Sequence, residues 1–395
     1  MKTQADKKIT DHSIKKYNMG SIFDDVLEKV DRGRAGLNIG LPMGFDRLVE
    51  YLPNIQQGTY YLIGAGTKVG KTTLADDCFL YNPYDFLKNN PDSPMTLDID
   101  YFSYEIEKTV KIVKGIGRKL WWDHGLIADV NQILSRGKNH CSDDLYGLVR
   151  GYRDYFEGME DVVTIHDMPD NPTGMNKYLY NKANELGTVE YEVVGRDKVT
   201  GKEITRFKKY TPNDPNRFWI IIIDHIALMK AETGFNTKQN IDKMSQYLVL
   251  LRNNYNAIPV VIQQLAFDAE NDERHKAGRL TPQIKDFGDS KYTTRDANVI
   301  MALFDPTRYG VERFQNYDVR RLGNTYRNME ILAKNITAPQ FLIAQEVIEK
   351  RIKVTCGVMA LWTVMSESKF CEFRENLEID NPELSLTGML RKCND

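Results

Sequence analysis

The feature that most constrains the fold is a glycine-rich stretch at residues 60–73, which reads Tyr-Tyr-Leu-Ile-Gly-Ala-Gly-Thr-Lys-Val-Gly-Lys-Thr-Thr. Its apolar start predicts a buried strand, and residues 70–72, Gly-Lys-Thr, predict the first turn of a helix. This order matches the pattern G-x-x-x-x-G-K-[ST], except that Ala65 stands in place of the first glycine. The stretch therefore predicts a phosphate-binding loop between a strand and a helix.

The residue types of this loop suit a nucleoside triphosphate. Small residues let backbone N–H groups converge on phosphate oxygens, and the helix N-terminus adds a partial positive charge. Lys71 would reach the β- and γ-phosphates, and the Thr72 hydroxyl would hold Mg²⁺. We therefore expect these ten residues around the nucleotide: Gly64, Ala65, Gly66, Thr67, Lys68, Val69, Gly70, Lys71, Thr72 and Thr73.

A second signal is the run of six apolar residues Phe218–Ile223, which is followed directly by Asp224. Such a run predicts a strand buried on both faces of a parallel sheet, with the carboxylate at its C-terminal tip. Ligands of open α/β sheets bind at that edge, where Asp224 would support the Mg²⁺ shell. The alternative is an aspartate that only caps the next turn.

Polar residues at the ends of two further predicted strands are candidates for a catalytic or a sensing role. Glu105 follows the predicted strand 95–102, which we take to be the neighbour of the phosphate-loop strand, and it could orient and deprotonate the attacking water. Glu105 could equally be an acid in the first turn of a helix, which the helix dipole favours. The strand 258–263 ends in glutamines, one of which could sense the γ-phosphate and relay its presence to the following loop, or could simply cap a turn.

From residue 58 onward, apolar strand candidates alternate with helical patterns. This alternation predicts an α/β fold with a mostly parallel sheet and helices on both faces. The strand candidates are 59–63, 95–102, 161–166, 218–223, 258–263 and 298–304, and the helix candidates are 72–80, 105–121, 144–156, 173–186, 239–255 and 290–296.

Three segments lie outside this alternation or interrupt it. Residues 1–20 are polar and lysine-rich, so we expect a mobile tail. Residues 21–31 predict an amphipathic helix that starts at Ser21, and its apolar stripe must be buried in the chain's own core or on a neighbouring subunit. Residues 189–210 predict a basic β-ribbon, either a nucleic-acid contact or, as we favour, a solvated hairpin.

Composition limits the partners and the compartment. The net charge of −2 excludes a globally basic nucleic-acid coat, so any nucleic acid must be held by local basic loops. The five cysteines are irregularly spaced, which argues against a disulfide framework or a zinc site. No apolar run is long enough to cross a bilayer. We expect no membrane contact and a location in a bacterial or phage-infected host cytoplasm.

Six segments in the right order resemble the RecA-like motor domain of DnaB-type hexameric replicative helicases, in particular its phage-type members. The resemblance covers about residues 36–335. It rests on the phosphate-binding loop and on the following segments: Gly40–Leu48 before the first strand, Ser103–Ile106, Asp224–Met229, Gln263–Leu265 and Asp286–Asn298.

This resemblance implies ATP as the nucleotide, Mg²⁺ as its metal, and catalytic roles for Lys71, Glu105 and Gln264, with Gln264 as the γ-phosphate sensor. It implies that the helix 21–31 is a linker that docks on the adjacent subunit of a hexameric ring. Single-stranded DNA and a primase or loading protein would be its partners. The implied DNA-binding residues are Lys230, Lys238, Arg274, Lys276, Arg279 and Lys291.

The sequence departs from the family in three places. Only about 45 residues precede the motor, so we expect no N-terminal helical domain. Gly288 stands where the family has a DNA-loop arginine, a contact that Lys291 could replace. Ile336 stands at the expected arginine finger, so either a different arginine acts in trans or hydrolysis is weak, and Lys334 is a candidate for the trans-acting basic residue.

The chain thus divides into a tail and linker helix (1–35), a motor domain (36–335) and a divergent C-terminal extension (336–395). The preferred function is an ATP-dependent helicase motor. The alternatives are a recombinase-like or KaiC-like regulatory ATPase, or a nucleotide-binding module that hydrolyses ATP weakly.

Overall fold

The computed structural model describes residues 19–44, 54–67, 69–124, 126, 128, 130–197, 201, 203–266, 274, 282, 284–288, 291–304, 313–314, 317–318, 361–366 and 369–372. The chain forms two compact units, Met1–Gly40 and Leu41–Asp395. Some predicted features lie outside the described residues: the tail up to residue 18, Lys68, Lys276, Arg279, Lys334, Ile336 and most of the extension 336–395.

The described part of the first unit is a helix, α1, at Met19–Arg34. It begins two residues before the predicted Ser21, continues through Gly33, and ends in a turn where Gly36 has a left-handed φ of 76°. The Asn38 side chain closes the end by donating a 2.8 Å hydrogen bond to a backbone carbonyl of the helix. Several apolar side chains of α1 are exposed: Met19, Phe23, Val26, Leu27 and Val30.

The described strands of the second unit form an eight-stranded mixed sheet and two separate hairpins, β4–β5 and β9–β10. Their bounds are β1 Tyr61–Ala65, β2 Thr96–Ser103, β3 Val163–His166, β4 Gly187–Arg196, β5 Glu203–Pro212, β6 Arg217–Asp224, β7 Ile258–Gln264, β8 Val299–Phe304, β9 Arg313–Phe314, β10 Tyr317–Asp318, β11 Leu361–Ser366 and β12 Lys369–Glu372. The order in the main sheet is β12-β11-β8-β1-β7-β6-β2-β3. The six strands from β8 to β3 run parallel, and β11 joins β8 in the antiparallel direction. The predicted α/β fold is confirmed.

One predicted neighbour relation is wrong. The strand 95–102, now β2, pairs with β6 and β3, and two strands separate it from β1. The neighbours of β1 are β7 and β8, which follow about 200 residues later in the chain. Parallel strands need a crossover, and the crossover does not dictate which position the next strand takes in the sheet.

The helices of the second unit are α2 Lys71–Asp76, α3 Asn82–Asn89, α4 Lys108–His124, α5 Val130–Ile133, α6 Asp143–Gly151, α7 Arg153–Glu160, α8 Pro172–Leu186, α9 Thr237–Tyr255 and α10 Lys291–Asp296. A π-helical turn at Asp77–Tyr81 joins α2 to α3 just before Pro83, which cannot donate a helical hydrogen bond. The predicted helix 144–156 is two helices, because Tyr152 leaves the helical conformation between α6 and α7. Within the described residues, none of the helices combines the length and apolarity needed to cross a membrane.

The core lies on both faces of the parallel sheet. Alternate residues of β1 point to opposite faces, so Ile63 joins one hydrophobic cluster, on the side of α2, and Leu62 joins another, on the side of α8 and α9. Burial of both faces explains why β6 is a continuous apolar run rather than an alternating one.

The predicted ribbon forms the antiparallel hairpin β4–β5. Three of its basic side chains pair with acidic neighbours on the hairpin itself, for example Lys208 with Glu190 at 2.8 Å. At its base, Phe207 and Tyr210 pack against Tyr255, which ends α9 just before β7 begins. The base therefore lies at the sheet edge opposite the strand tips, and this position favours the solvated hairpin over a nucleic-acid contact.

Candidate nucleotide site

The phosphate-binding loop has the predicted strand–loop–helix geometry. β1 ends at Ala65, and α2 begins at Lys71, directly after Gly70, whose φ of 108° is left-handed. The Lys71 side chain is buried, and its Nζ donates a 3.1 Å hydrogen bond to the Gly66 carbonyl. The ammonium group of Lys71 is thus held against the loop. A β- or γ-phosphate would be bound at this position.

The sensor candidate Gln264 contacts this loop directly. Its Nε2 donates a 2.7 Å hydrogen bond to the Thr67 hydroxyl. One residue further on, the backbone N–H of Leu265 bonds to the Ala65 carbonyl at 3.0 Å. Two hydrogen bonds therefore connect the end of β1 and the loop to the tip of β7.

Gly64, one of the predicted phosphate-loop residues, lies against a bulky side chain. It lies inside β1 rather than in the loop, and a Cβ atom there would be 2.2 Å from the Phe287 ring. Glycine is needed at this position because Phe287 approaches the strand closely. Gly64 thus has a packing role in β1, while its predicted place in the nucleotide site stays a prediction.

Asp224 is fully buried at the tip of β6, in register with Ser103 at the tip of β2. Burial and the neighbouring carboxylates of Asp76 and Glu105 raise the pKa of Asp224 to about 6, although Lys111 and a hydrogen bond from Thr72 lower it. Among the described residues, Oδ1 of Asp224 has no hydrogen-bond partner. A buried carboxylate oxygen of this kind is suited to a cation.

The side chains around Asp224 suit Mg²⁺ rather than a metal held by protein alone. The Thr72 hydroxyl and the Asp224 carboxylate are hard oxygen donors close to each other. In the described part of the chain, His, Cys, Asp and Glu side chains nowhere gather in a group of three or more that could hold a metal. Mg²⁺ in such sites is bound by one or two side chains together with substrate phosphates and water.

A buried charge network beside the loop was not predicted. The Lys111 ammonium of α4 lies 2.9 Å from Asp76 Oδ1 of α2 and 3.7 Å from the centre of the Tyr101 ring. The Tyr101 hydroxyl donates to Asp76 at 2.7 Å and lies 3.4 Å from Asp224 Oδ2. Lys111 and Asp76 are 35 residues apart, so no local spacing in the sequence indicates the pair.

Glu105 lies at the same edge of the sheet. It is exposed in the bend between β2 and α4, three residues before the helix begins, so it is not an acid of the first helical turn. A 2.8 Å hydrogen bond from the Tyr104 N–H to the Asp224 carbonyl ties this bend to β6. Glu105 is close enough to Asp224 to raise the pKa of that carboxylate.

Lys114 of α4 is a second charge near Asp224 that the sequence did not indicate. Burial lowers the pKa of Lys114, and the nearby carboxylates of Asp76, Asp224 and Glu105 partly offset this by raising it. The site thus contains two lysines on one face of α4 besides Lys71.

The described DNA-binding candidates divide into exposed and paired residues. Lys230, Lys238 and Lys291 are exposed, the first two after β6 and the third at the start of α10. The prediction for Arg274 needs correction, because its guanidinium forms a 2.7 Å ion pair with the buried Asp286 and is mostly shielded. Gly288 faces Ala266, and a Cβ atom there would be 2.6 Å from the alanine methyl group.

A known family matches the segment of the chain that contains the second half of this site. Residues 170–345 match the family model of the DnaB-like helicase C-terminal domain. The match contains Asp224, Gln264 and the segment around α10, whereas the phosphate-binding loop and Glu105 precede it. No curated protein is detectably similar to the chain in sequence.

Solved structures of the same fold agree with this match. The ATPase domain of G40P is 16% identical with a TM-score of 0.51, covering 76% of this chain and 86% of that one. A DnaB-like replicative helicase, solved in a study of its interactions with primase, is also 16% identical with a TM-score of 0.51, covering 76% of this chain and 60% of the helicase. The chain thus spans less than two thirds of that helicase. Residues 170–345 thus match the DnaB-like helicase C-terminal domain, and the second unit shares the RecA-like fold of these helicase ATPase domains.

Proposed function

We propose that this chain is an ATP-dependent DNA helicase motor that hydrolyses ATP between subunits, translocates on single-stranded DNA and unwinds the duplex. The observation that carries the proposal is the convergence of Lys71, Asp224 and Glu105 at one edge of the parallel sheet. A phosphate ligand, a metal ligand and a candidate base are the parts that ATP hydrolysis requires.

In this proposal, Lys71 and the backbone N–H groups of the loop bind the phosphates of ATP. Thr72 and Asp224 hold Mg²⁺, which neutralises charge on the phosphates. Glu105 orients the attacking water and accepts its proton, and its exposed position after β2 leaves room for that water. Gln264, which contacts Thr67 of the loop, reports whether the γ-phosphate is present.

The exposed Lys230, Lys238 and Lys291 are the described candidates for binding DNA phosphates. They follow β6 and β7 at the same edge of the sheet as the nucleotide site. Lysines that neutralise phosphates bind without regard to sequence, as translocation requires. With a chain net charge of −2, such contacts must be local.

The exposed apolar face of α1 supports assembly into a ring, which we propose to be hexameric. Phe23 and Leu27 are 61% and 46% exposed, and a second copy of the chain could cover them. ATP would then lie between subunits, where a basic residue of the neighbour, with Lys334 as candidate, could reach the γ-phosphate. A primase or loading protein would be a further partner.

The proposal is tested by steady-state ATP hydrolysis of the full chain with and without single-stranded DNA. We expect strong stimulation by DNA and its loss in Lys71→Ala and Glu105→Gln. Glu105→Gln should still bind ATP, because it keeps the shape and removes only the base. Tight nucleotide binding without any DNA stimulation would reject the motor and favour a regulatory ATPase or a binding module.

A further inference from the structure

The tip of β7 carries two adjacent glutamines that point to opposite faces of the sheet. Gln264 faces the phosphate-binding loop and bonds to Thr67 at 2.7 Å. Gln263 faces the other side, where its Oε1 accepts a 2.8 Å hydrogen bond from the Thr293 hydroxyl of α10. Successive residues of a strand alternate between faces, so one peptide bond joins the nucleotide side to α10.

The hydrogen bond between Gln263 and Thr293 is completely shielded from water, since neither residue is exposed. Water does not compete for either partner there, and a hydrogen bond in such surroundings is electrostatically stronger than one in water. The Nε2 group of Gln263 is also buried, and it has no hydrogen-bond partner within the described residues. A buried donor without a partner is costly, so a shift of β7 that offered Nε2 a partner would be favoured, as an element with two arrangements requires.

The far end of α10 is fixed by other contacts. The Asp296 carboxylate accepts a 2.8 Å hydrogen bond from Ser245, and its carbonyl accepts one from Arg252 at 2.7 Å; both donors lie on α9. The bond to Thr293 holds the middle of α10, and Lys291 is at its first residue. A shift of β7 would therefore tilt α10 about its anchored end and move Lys291.

We propose that Gln263 and Thr293 are positioning residues that make the position of α10 depend on nucleotide at the phosphate-binding loop. A displacement of Gln264 by bound ATP passes through the backbone to Gln263 and through the hydrogen bond to Thr293. This coupling rests on the proposed function, because it requires the loop to bind ATP. It would link the ATP site to a segment that carries a DNA-binding candidate.

The test is hydrogen–deuterium exchange across residues 291–296 of the full chain, with and without a non-hydrolysable ATP analogue. Thr293→Val has nearly the shape of threonine and removes the hydroxyl. Thr294→Val is the matched control, because among the described residues the hydroxyl of Thr294 donates its hydrogen bond to the Lys291 carbonyl within α10. Thr293→Ser keeps a hydroxyl and tests rescue.

We expect the analogue to change exchange in α10 by about fivefold in the parent, Thr294→Val and Thr293→Ser, as one net hydrogen bond would allow. Thr293→Val should bind the analogue with the parent's affinity but lose that change. The coupling is overturned if Thr293→Val responds like the parent, or if the parent binds the analogue and α10 does not respond. Failure of the parent to bind the analogue would instead refute the proposed function, and the coupling with it.

Discussion

At the residue scale, the proposed ATP hydrolysis depends on Asp224, whose carboxylate is buried where a metal would be bound. Its pKa is raised from 3.8 to about 6, chiefly because burial disfavours the charged form. The folded state therefore binds a proton between pH 4 and 6 that the unfolded state has released. It follows that the ionised Asp224 destabilises the fold above pH 6, and that this penalty diminishes as the pH falls through 6.

Asp224→Asn should therefore stabilise the metal-free protein at pH 8. A pKa difference of about 2 units corresponds to a gain on the order of 2–3 kcal/mol in the free energy of unfolding, and the gain should be smaller at pH 5. Urea denaturation at both pH values measures it, and ATP hydrolysis by the variant should be lost. A variant less stable than the parent at pH 8 would show that Asp224 has a structural role.

Lys111→Met should strongly destabilise the fold. It removes the ammonium that neutralises Asp76, and an unpaired buried carboxylate costs about 3–5 kcal/mol. Lys108→Met is the matched control on α4, because Lys108 is 63% exposed and pairs with Asp167 only at the surface, at 3.3 Å. The free energy of unfolding in urea should change by less than about 1 kcal/mol in the control.

A second change can show that the Lys111 effect comes from the charge pair. Replacing Asp76 by Asn in the Lys111→Met background removes the unpaired charge and should recover part of the lost stability. Equal destabilisation in the single and double variants would contradict a role for the pair and indicate a packing defect.

At the scale of elements, sequence patterns predicted most strands and helices of the sheet but not how they are arranged. The apolar run of β6 ends at Asp224 as predicted, because burial on both faces leaves a clear pattern. The predicted position of β2 beside β1 was wrong, since the order of parallel strands depends on crossovers that no local pattern encodes. The pair of Lys111 and Asp76 was missed because long-range ion pairs have no characteristic spacing.

The hairpin β4–β5 and the loop after β6 are both basic in sequence, yet the structure distinguishes them. Arg206 and Lys208 of the hairpin form ion pairs with glutamates of the hairpin itself. Lys230 and Lys238, in contrast, are exposed at the edge of the sheet where the nucleotide site lies. Replacing Lys230 and Lys238 by Gln should weaken binding of single-stranded DNA. It should also reduce the salt dependence of binding by the amount expected for the loss of about one to two phosphate contacts.

Replacing Lys208 and Lys209 of the hairpin by Gln provides the comparison for the loop variant. We expect the affinity for single-stranded DNA to change little, by about twofold or less, since the DNA would not reach that edge of the sheet. Fluorescence anisotropy at two salt concentrations measures both variants. A greater loss of affinity in the hairpin variant than in the loop variant would indicate that DNA contacts the hairpin.

At the scale of the whole molecule, the proposed motor is a ring that depends on α1. Phe23→Asp combined with Leu27→Asp should weaken self-association, since each buried apolar side chain contributes about 1.5–3 kcal/mol. Analytical ultracentrifugation should show smaller species, while Glu28→Lys, also on the exposed surface of α1, should assemble like the parent. Unchanged assembly of the double variant would exclude α1 from the interface.

The residues proposed to bind ATP, Mg²⁺ and DNA lie along one edge of the sheet, and the proposed motor requires them to act together. The most direct measurement of this joint action is the unwinding of a forked DNA duplex by the full chain, followed by the fluorescence of the released strand. The account predicts strand release that requires ATP and Mg²⁺ and is abolished in Glu105→Gln, which still binds ATP and DNA. Strand release by Glu105→Gln at the parent's rate, or none by the parent when it hydrolyses ATP on single-stranded DNA, would contradict the account.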